Sequence, residues 1–217
     1  MTPYDGRVSV GGAAQTRELA RLTVTKVAVG PMDNNAYLLR CRASGATLLV
    51  DAAADAPRLL QLTGPHLDQV VTTHRHRDHW QALGEVVSAT GARTSAGRDD
   101  VDGIPVPTDR PLADGDVVKI GETELTVLTL LGHTPGSVAL LYDDPDGHPH
   151  VFTGDSLFPG GVGKTGSPES FASLLGDVER KIFDVLPDST WIYPGHGHDT
   201  TVGTERAHLP EWRARGW

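Results

Sequence analysis

The chain has 217 residues, enough for one domain of ordinary size with a substantial core. Acidic side chains outnumber basic ones 28 to 19, for a net charge of −9, and no basic block breaks the excess, which argues against nucleic acid or an anionic membrane surface as a partner. No stretch approaches the roughly 18 apolar residues of a membrane span, Met1 to Arg7 holds no apolar signal core, and the single Cys41 cannot close an intrachain disulfide, so we expect a cytoplasmic protein.

In chain order, residues 1–20 are polar and broken at Gly11-Gly12, and read as a loose leader before a single domain over 21–217. Residues 21–29 alternate β-branched and polar side chains, a strand pattern. Residues 35–42 and 46–50 read as two further strands joined at Ser44-Gly45, so an antiparallel meander begins the fold. A short helix is expected over 55–62, a buried strand over 69–73 and a helix over 80–90, stopped by Gly91. Residues 92–111 are irregular, with short β-like pieces. A hairpin turned at Gly121 follows (117–120 and 122–131), then strands at 137–142 and 150–153. The longest helical pattern, 167–183, starts at a Ser167 cap with Pro168 in the first turn, and its apolar face uses Phe171, Leu174, Leu175, Val178, Ile182 and Phe183. A last strand at 189–193 precedes a tail from Thr201 that includes Trp212 and Trp217. Cys41, on a strand far from the histidine motifs, reads as a packing residue. The pattern by itself supports a mixed α and β protein.

The chemistry concentrates at Thr73-His74-Arg75-His76-Arg77-Asp78-His79-Trp80. On an extended segment leaving a strand, side chains at i and i+2 point the same way. His74 and His76 can therefore close on one cation while Asp78 and His79 turn, at a helix start, towards a second. Imidazole with carboxylate suits zinc, iron or manganese. Downstream, His133 is held between Gly132 and the Pro135-Gly136 turn at a strand end. Asp155 follows a buried strand through Gly154, where an unpaired carboxylate would be costly. His196 also follows a strand end and a glycine. His198 is left unassigned, and His66, His148, His150 and His208 lie outside every motif and read as structural or exposed.

The opening run resembles the H-x-H-x-D-H signature of the metallo-β-lactamase-fold superfamily, and Gly132 to Ser137 resembles its G-H-T-x-G-S element. The resemblance covers residues from about 22 to 200. It implies an α+β fold, a four-layer αββα sandwich of two mixed β-sheets with outer helices. It also implies two divalent metal ions, zinc first and iron or manganese as alternatives. One would be bound by His74, His76 and His133, the other by Asp78, His79 and His196, with Asp155 shared; Asp51 would orient a ligating histidine. Asp78 and Asp155 would act in catalysis with a metal-bridging hydroxide.

Phe158 to Thr165 looks like a phosphate-binding loop, but that motif needs glycine where Phe158 stands. The segment is similar instead to the glyoxalase II branch, whose bridging aspartate is followed by Gly-x-Gly-Lys; Lys164 matches the lysine that grips a carboxylate of the thiol. The branch implies hydrolysis of acyl derivatives of a small thiol; the sequence leaves a monomer and a homodimer both open. Two departures put glutathione in doubt: Thr165-Gly166-Ser167 replaces an aromatic pair, and only about twenty residues follow His196 where glyoxalase II has a helical domain. The alternatives are a mononuclear-iron persulfide dioxygenase, which carries the same signature, and a lactonase. Asp155 stands where some β-lactamase classes have a cysteine ligand, which disfavours those classes. A non-catalytic binding protein comes last, because no expected ligand is missing.

Overall fold

The computed structural model describes residues 4–216. A seven-stranded sheet runs in chain order through β1 (Gln15–Glu18), β2 (Leu22–Val29), β3 (Asn34–Cys41), β4 (Thr47–Val50), β5 (Gln69–Thr72), β6 (Arg93–Gly97) and β7 (Arg110–Leu112). β1 to β4 form the antiparallel meander, and β4 to β7 pair in parallel. The second sheet contains β8 (Val117–Ile120), β9 (Thr123–Thr129), β10 (Val138–Tyr142) and β11 (His150–Gly154). After a small hairpin of β12 (Leu157–Phe158) and β13 (Gly161–Val162) come β14 (Trp191–Pro194) and β15 (Thr200–Thr201). The second sheet has the order β15-β14-β11-β10-β9-β8, in which only β11 and β14 are parallel.

Side chains alternate across a strand, and each sheet therefore supplies two apolar faces. Tyr37 and Leu39 of β3 meet Val127, Leu140, Phe152 and Tyr193 between the sheets. Ala36 and Leu38 of the same strand face outward, beneath α1 (Ala56–Thr63) and α2 (Leu83–Thr90). On the far side α3 (Pro168–Val178), α4 (Val202–Arg206) and α5 (Leu209–Arg215) cover the second sheet through Leu174, Val178, Val202 and Trp212. The three apolar clusters separate four layers in the order αββα, as the resemblance implies. Among the described residues no helix is long and apolar enough to cross a membrane.

Several local expectations change. Residues 15–18, assigned to a loose leader, form the edge strand β1, which pairs Gln15 with Lys26 and Glu18 with Thr23. The segment before it is tied down as well: Tyr4 packs against Trp191 and Tyr193 and donates to Asp199 at 2.7 Å. The helix expected from residue 80 starts at Leu83, because Gln81 and Ala82 spend their N–H groups on the carbonyls of Ala53 and Ala52. The irregular stretch 92–111 contains β6 and β7, whose short polar and glycine-bearing sequences carry no alternation. The long helix ends as an α-helix at Val178 and continues through a wider π turn to Phe183; Ser167 caps it by accepting from Ser170 N at 3.1 Å. The tail folds into α4 and α5, with Trp212 buried against Phe183, while Trp217 lies outside the described residues.

Candidate metal centre

The sequence motifs meet at one end of the sandwich, where β4, β5, β9, β11 and β14 release their C-terminal ends. β5 delivers Thr73, His74 and His76, and a 3₁₀ turn over Arg77–His79 swings Asp78 and His79 inward. The loop after β9 carries His133. β11 ends at Gly154, in a left-handed conformation (φ 48°) with Thr73 close against its Cα, and this turns Asp155 into the site. β14 leads through Gly195 to His196.

The donors form two outer groups, His74, His76 and His133 on one side and Asp78, His79 and His196 on the other, joined by a third set of His74, His79 and Asp155. In the first, His76 Nδ1 lies 3.1 Å from His74 Nε2 and 2.9 Å from His133 Nε2. In the second, Asp78 Oδ2 lies 3.5 Å from His79 Nε2 and 3.3 Å from His196 Nε2. Asp155 reaches both: Oδ2 is 3.6 Å from His133 Nε2 and 3.5 Å from His196 Nε2, and Oδ1 is 3.3 Å from His79 Nε2.

The opposite edges of the rings explain why these atoms face inward. The partner oxygens assign a tautomer to each of four histidines. His79 Nδ1–H donates to Asp51 at 2.8 Å, His133 Nδ1–H to the Lys164 carbonyl at 2.6 Å and His196 Nδ1–H to the Met32 carbonyl at 2.9 Å. His74 Nδ1–H donates at 3.1 Å to Thr73 Oγ1, whose own proton goes to Asp51. Each of these rings turns Nε2 to the centre, while His76 presents Nδ1.

Such a donor set fits divalent cations. Around a tetrahedral ion with bonds of about 2.0–2.1 Å, neighbouring donors lie about 3.3 Å apart, close to the spacings above. His79 Nε2 and Asp155 Oδ1 are buried without a hydrogen-bond partner among the described residues, a costly state that a cation would relieve. Charge divides the two groups. Burial and neighbouring histidines push His74 and His76 below the usual imidazole range, so their lone pairs are free. Burial also disfavours the charged forms of His79 and His196, but the carboxylates outweigh it. Asp51 and Asp155 lift His79 to about 10, and Asp155 and Asp78 lift His196 to about 10. Asp78 is held below the carboxylate range, chiefly by its bond to His196. Burial pushes Asp155 up, yet His196 and His79 hold it well below that range. Protons thus stand where the second cation would go.

The family profile described as "Metallo-beta-lactamase superfamily" matches residues 29–198. The chain belongs to that superfamily. It is 40% identical over 170 residues to a "Hydroxyacylglutathione hydrolase" of Fuscovulum blasticum, over 76% of this chain and 63% of that protein. The chain thus spans less than two thirds of that relative's length. Among solved structures it is similar to TTHA1623 in a di-iron-bound form (31% identity, TM-score 0.69, covering 83% of this chain and 96% of that one). It is also similar to ETHE1 from Myxococcus xanthus (28% identity, TM-score 0.73, covering 86% and 83%).

The seven candidate donors and Asp51 come together here, whereas Lys164 touches the group through its backbone alone. Its carbonyl fixes His133, and its side chain is exposed with no hydrogen bond or ion pair among the described residues. His198 is exposed and outside the donor groups, and His150 is buried against the Tyr193 hydroxyl. Cys41 is buried between the sheets. Phe158 to Thr165 spans the small hairpin. Three supports lay beyond the sequence reading. Asn34 donates to Asp78 at 2.9 Å, the Met32 carbonyl holds His196, and Asp100 is buried behind two donor loops. Asn34 and Asp100 sit among ordinary polar residues with no motif to mark them.

Proposed function

We propose that the chain is a metal-dependent hydrolase that holds two divalent cations and cleaves thioesters of a small thiol. The observation that carries this reading is the division of seven donors into two groups that share Asp155. His74, His76 and His133 would hold one cation and Asp78, His79 and His196 the other, with Asp155 serving both. A pair of such ions, when bound, supplies a water acidified towards neutral pH and a Lewis acid for a carbonyl oxygen.

The chain's own residues do the rest. Asp51, Thr73 and the carbonyls of Lys164 and Met32 keep four rings aimed, so little reorganisation accompanies reaction. Asn34 anchors Asp78, whose side chain stays 17% exposed, and we assign its carboxylate to hold the proton of the attacking water. No serine or cysteine nucleophile is invoked, since Cys41 is sealed in the core. A leaving thiol has an ordinary pKa near 8.5, so it departs as thiolate with little help from an acid. The exposed ammonium of Lys164, whose backbone carbonyl holds His133, takes an anionic group of that thiol. The identity to hydroxyacylglutathione hydrolases supports the substrate class.

A second reading has specific support. His74, His133 and Asp155 make a two-histidine, one-carboxylate set of the kind that holds iron in oxygenases, and the chain is similar to ETHE1. The test is metal quantification on protein purified without added metal, followed by thioesters of anionic and neutral thiols and a lactone. Two metals and thioester turnover support the proposal, with Lys164→Ala raising KM for anionic thiols alone. No hydrolysis of any thioester by fully metallated protein overturns it.

A further inference from the structure

The two donor groups are braced by different residues. Asp100, in a 3₁₀ turn after β6, is wholly buried, and its carboxylate joins the two loops that carry the three-histidine group. Oδ2 accepts from the backbone N–H of Arg75, between His74 and His76, at 3.0 Å. The same oxygen accepts from Thr134 Oγ1, next to His133, and Oδ1 accepts from Gly136 N at 2.9 Å. The packing is so close that a Cβ on Gly136 would lie 2.4 Å from Asp100 N. The Arg75 guanidinium, 3.8 Å away, is the cation facing this buried carboxylate. None of these bonds reaches Asp78, His79 or His196.

That other group has its own brace. Asn34 Nδ2 donates to Asp78 Oδ2 at 2.9 Å and lies 3.3 Å from His196 Nε2, while backbone pairing joins residue 34 to residue 196. Asp51 cannot tell the groups apart, since it serves His79 directly and His74 through Thr73.

We infer that Asp100 is a positioning residue that sets the metal affinity of the three-histidine group alone, so the two halves of the centre can be emptied separately. The inference rests on the binuclear reading above. His74 and His76 come from one loop and His133 from another, 57 residues later, and only a fixed distance between the loops brings their nitrogens within 3.1 Å. Asp100 fixes that distance. An amide in its place has one acceptor oxygen, and its NH₂ must face either the Arg75 or the Gly136 N–H, so the loops part although the shape is unchanged. Losing such outer support typically weakens metal binding by about 10- to 100-fold.

The experiment compares wild type, Asp100→Asn and Asn34→Ala by zinc titration of metal-free protein. Deuterium exchange at the imidazole Cε1–H, which proceeds through the protonated ring and is slowed by a bound metal, is read by mass spectrometry on the zinc-loaded forms and reports each group through His76 and His196. Wild type should bind two ions and protect both histidines. Asp100→Asn should keep one tight ion, weaken the other about 10- to 100-fold, and expose His76 but not His196; Asn34→Ala should do the reverse. Thermal unfolding of the metal-free proteins identifies a misfolded variant, and Thr134→Val, which removes a single bond to Asp100, then serves with a smaller effect in the same direction. Unchanged affinity and His76 protection in Asp100→Asn overturns the inference, as does equal loss from both groups. A wild type that binds one ion while protecting His76 refutes the binuclear reading alone, and Asp100→Asn should then release that ion.

Discussion

Gly195 is the backbone against which the centre is packed, and replacing it with alanine should dismantle the site. A Cβ there would stand 2.2 Å from Asp155 Oδ1, 2.7 Å from His79 Cε1 and 3.1 Å from the Gly154 carbonyl carbon. The backbone cannot retreat freely, because Gly195 N donates to the Gly154 carbonyl at 2.8 Å and the Gly195 carbonyl accepts from Asn35 N at 2.7 Å. Asp155 and His79 must therefore move, by about 1 Å to restore van der Waals contact. Overpacking of this kind costs about 1–3 kcal/mol, and a displacement of about 1 Å at a reacting centre costs on the order of 100-fold in rate. Metal content, thermal unfolding and thioester turnover measure the three consequences. Gly166→Ala is the control, since a Cβ there meets nothing within 4 Å. Gly195→Ala with full metal content and wild-type turnover would refute the placement of Asp155 between the two groups.

Asp51→Asn should lower metal affinity by about 10- to 100-fold, since an amide cannot accept from Thr73 N, Thr73 Oγ1 and His79 Nδ1 together; titration with wild-type affinity would count against this. The raised pKa values of His79 and His196 fix a pH dependence with a definite sign. In metal-free protein their ion pairs contribute fully below about pH 6.5, the unfolded value, and that contribution is lost as pH rises through about 10. The melting temperature of metal-free protein should thus fall between those limits. Metal uptake at neutral pH should release a proton from each ring, and an indicator dye showing no release would contradict the charge assignment. Lys26→Met strands Asp199, its fully buried partner at 2.6 Å, and frees the loop at Gly197, whose carbonyl Lys26 also holds. We expect a loss of about 3–5 kcal/mol in denaturant unfolding; a loss below about 1 kcal/mol would mean that the pair is not buried as described.

The candidate donors were legible because each is a strongly polar side chain at a strand end, framed by glycine or a short turn. The four donors from His74 to His79 lie within six residues, so local geometry alone implied a shared purpose. The supports were not legible. Asn34 and Asp100 act across 44 and 25 residues of sequence, respectively, and their importance lies in what they touch. The sequence marks Lys164 for its ammonium, yet the structure uses its carbonyl to hold His133, a role any residue type could fill. The strand β1 escaped notice because a solvent-facing edge strand needs little apolar alternation, and Tyr4 is anchored by aromatic packing from far along the chain. The αββα layering was beyond the strand pattern, since two apolar faces per sheet do not say which face meets which.

Two cations in this centre and hydrolysis of acyl-thiols stand or fall together. The most direct test is metal content of protein purified without added metal, taken together with products from a thioester and from a persulfide. Two divalent metals per chain are expected, with release of a carboxylic acid and a thiol and no uptake of oxygen. One iron per chain, with oxygen consumed on a persulfide and no thioester cleaved, would contradict both.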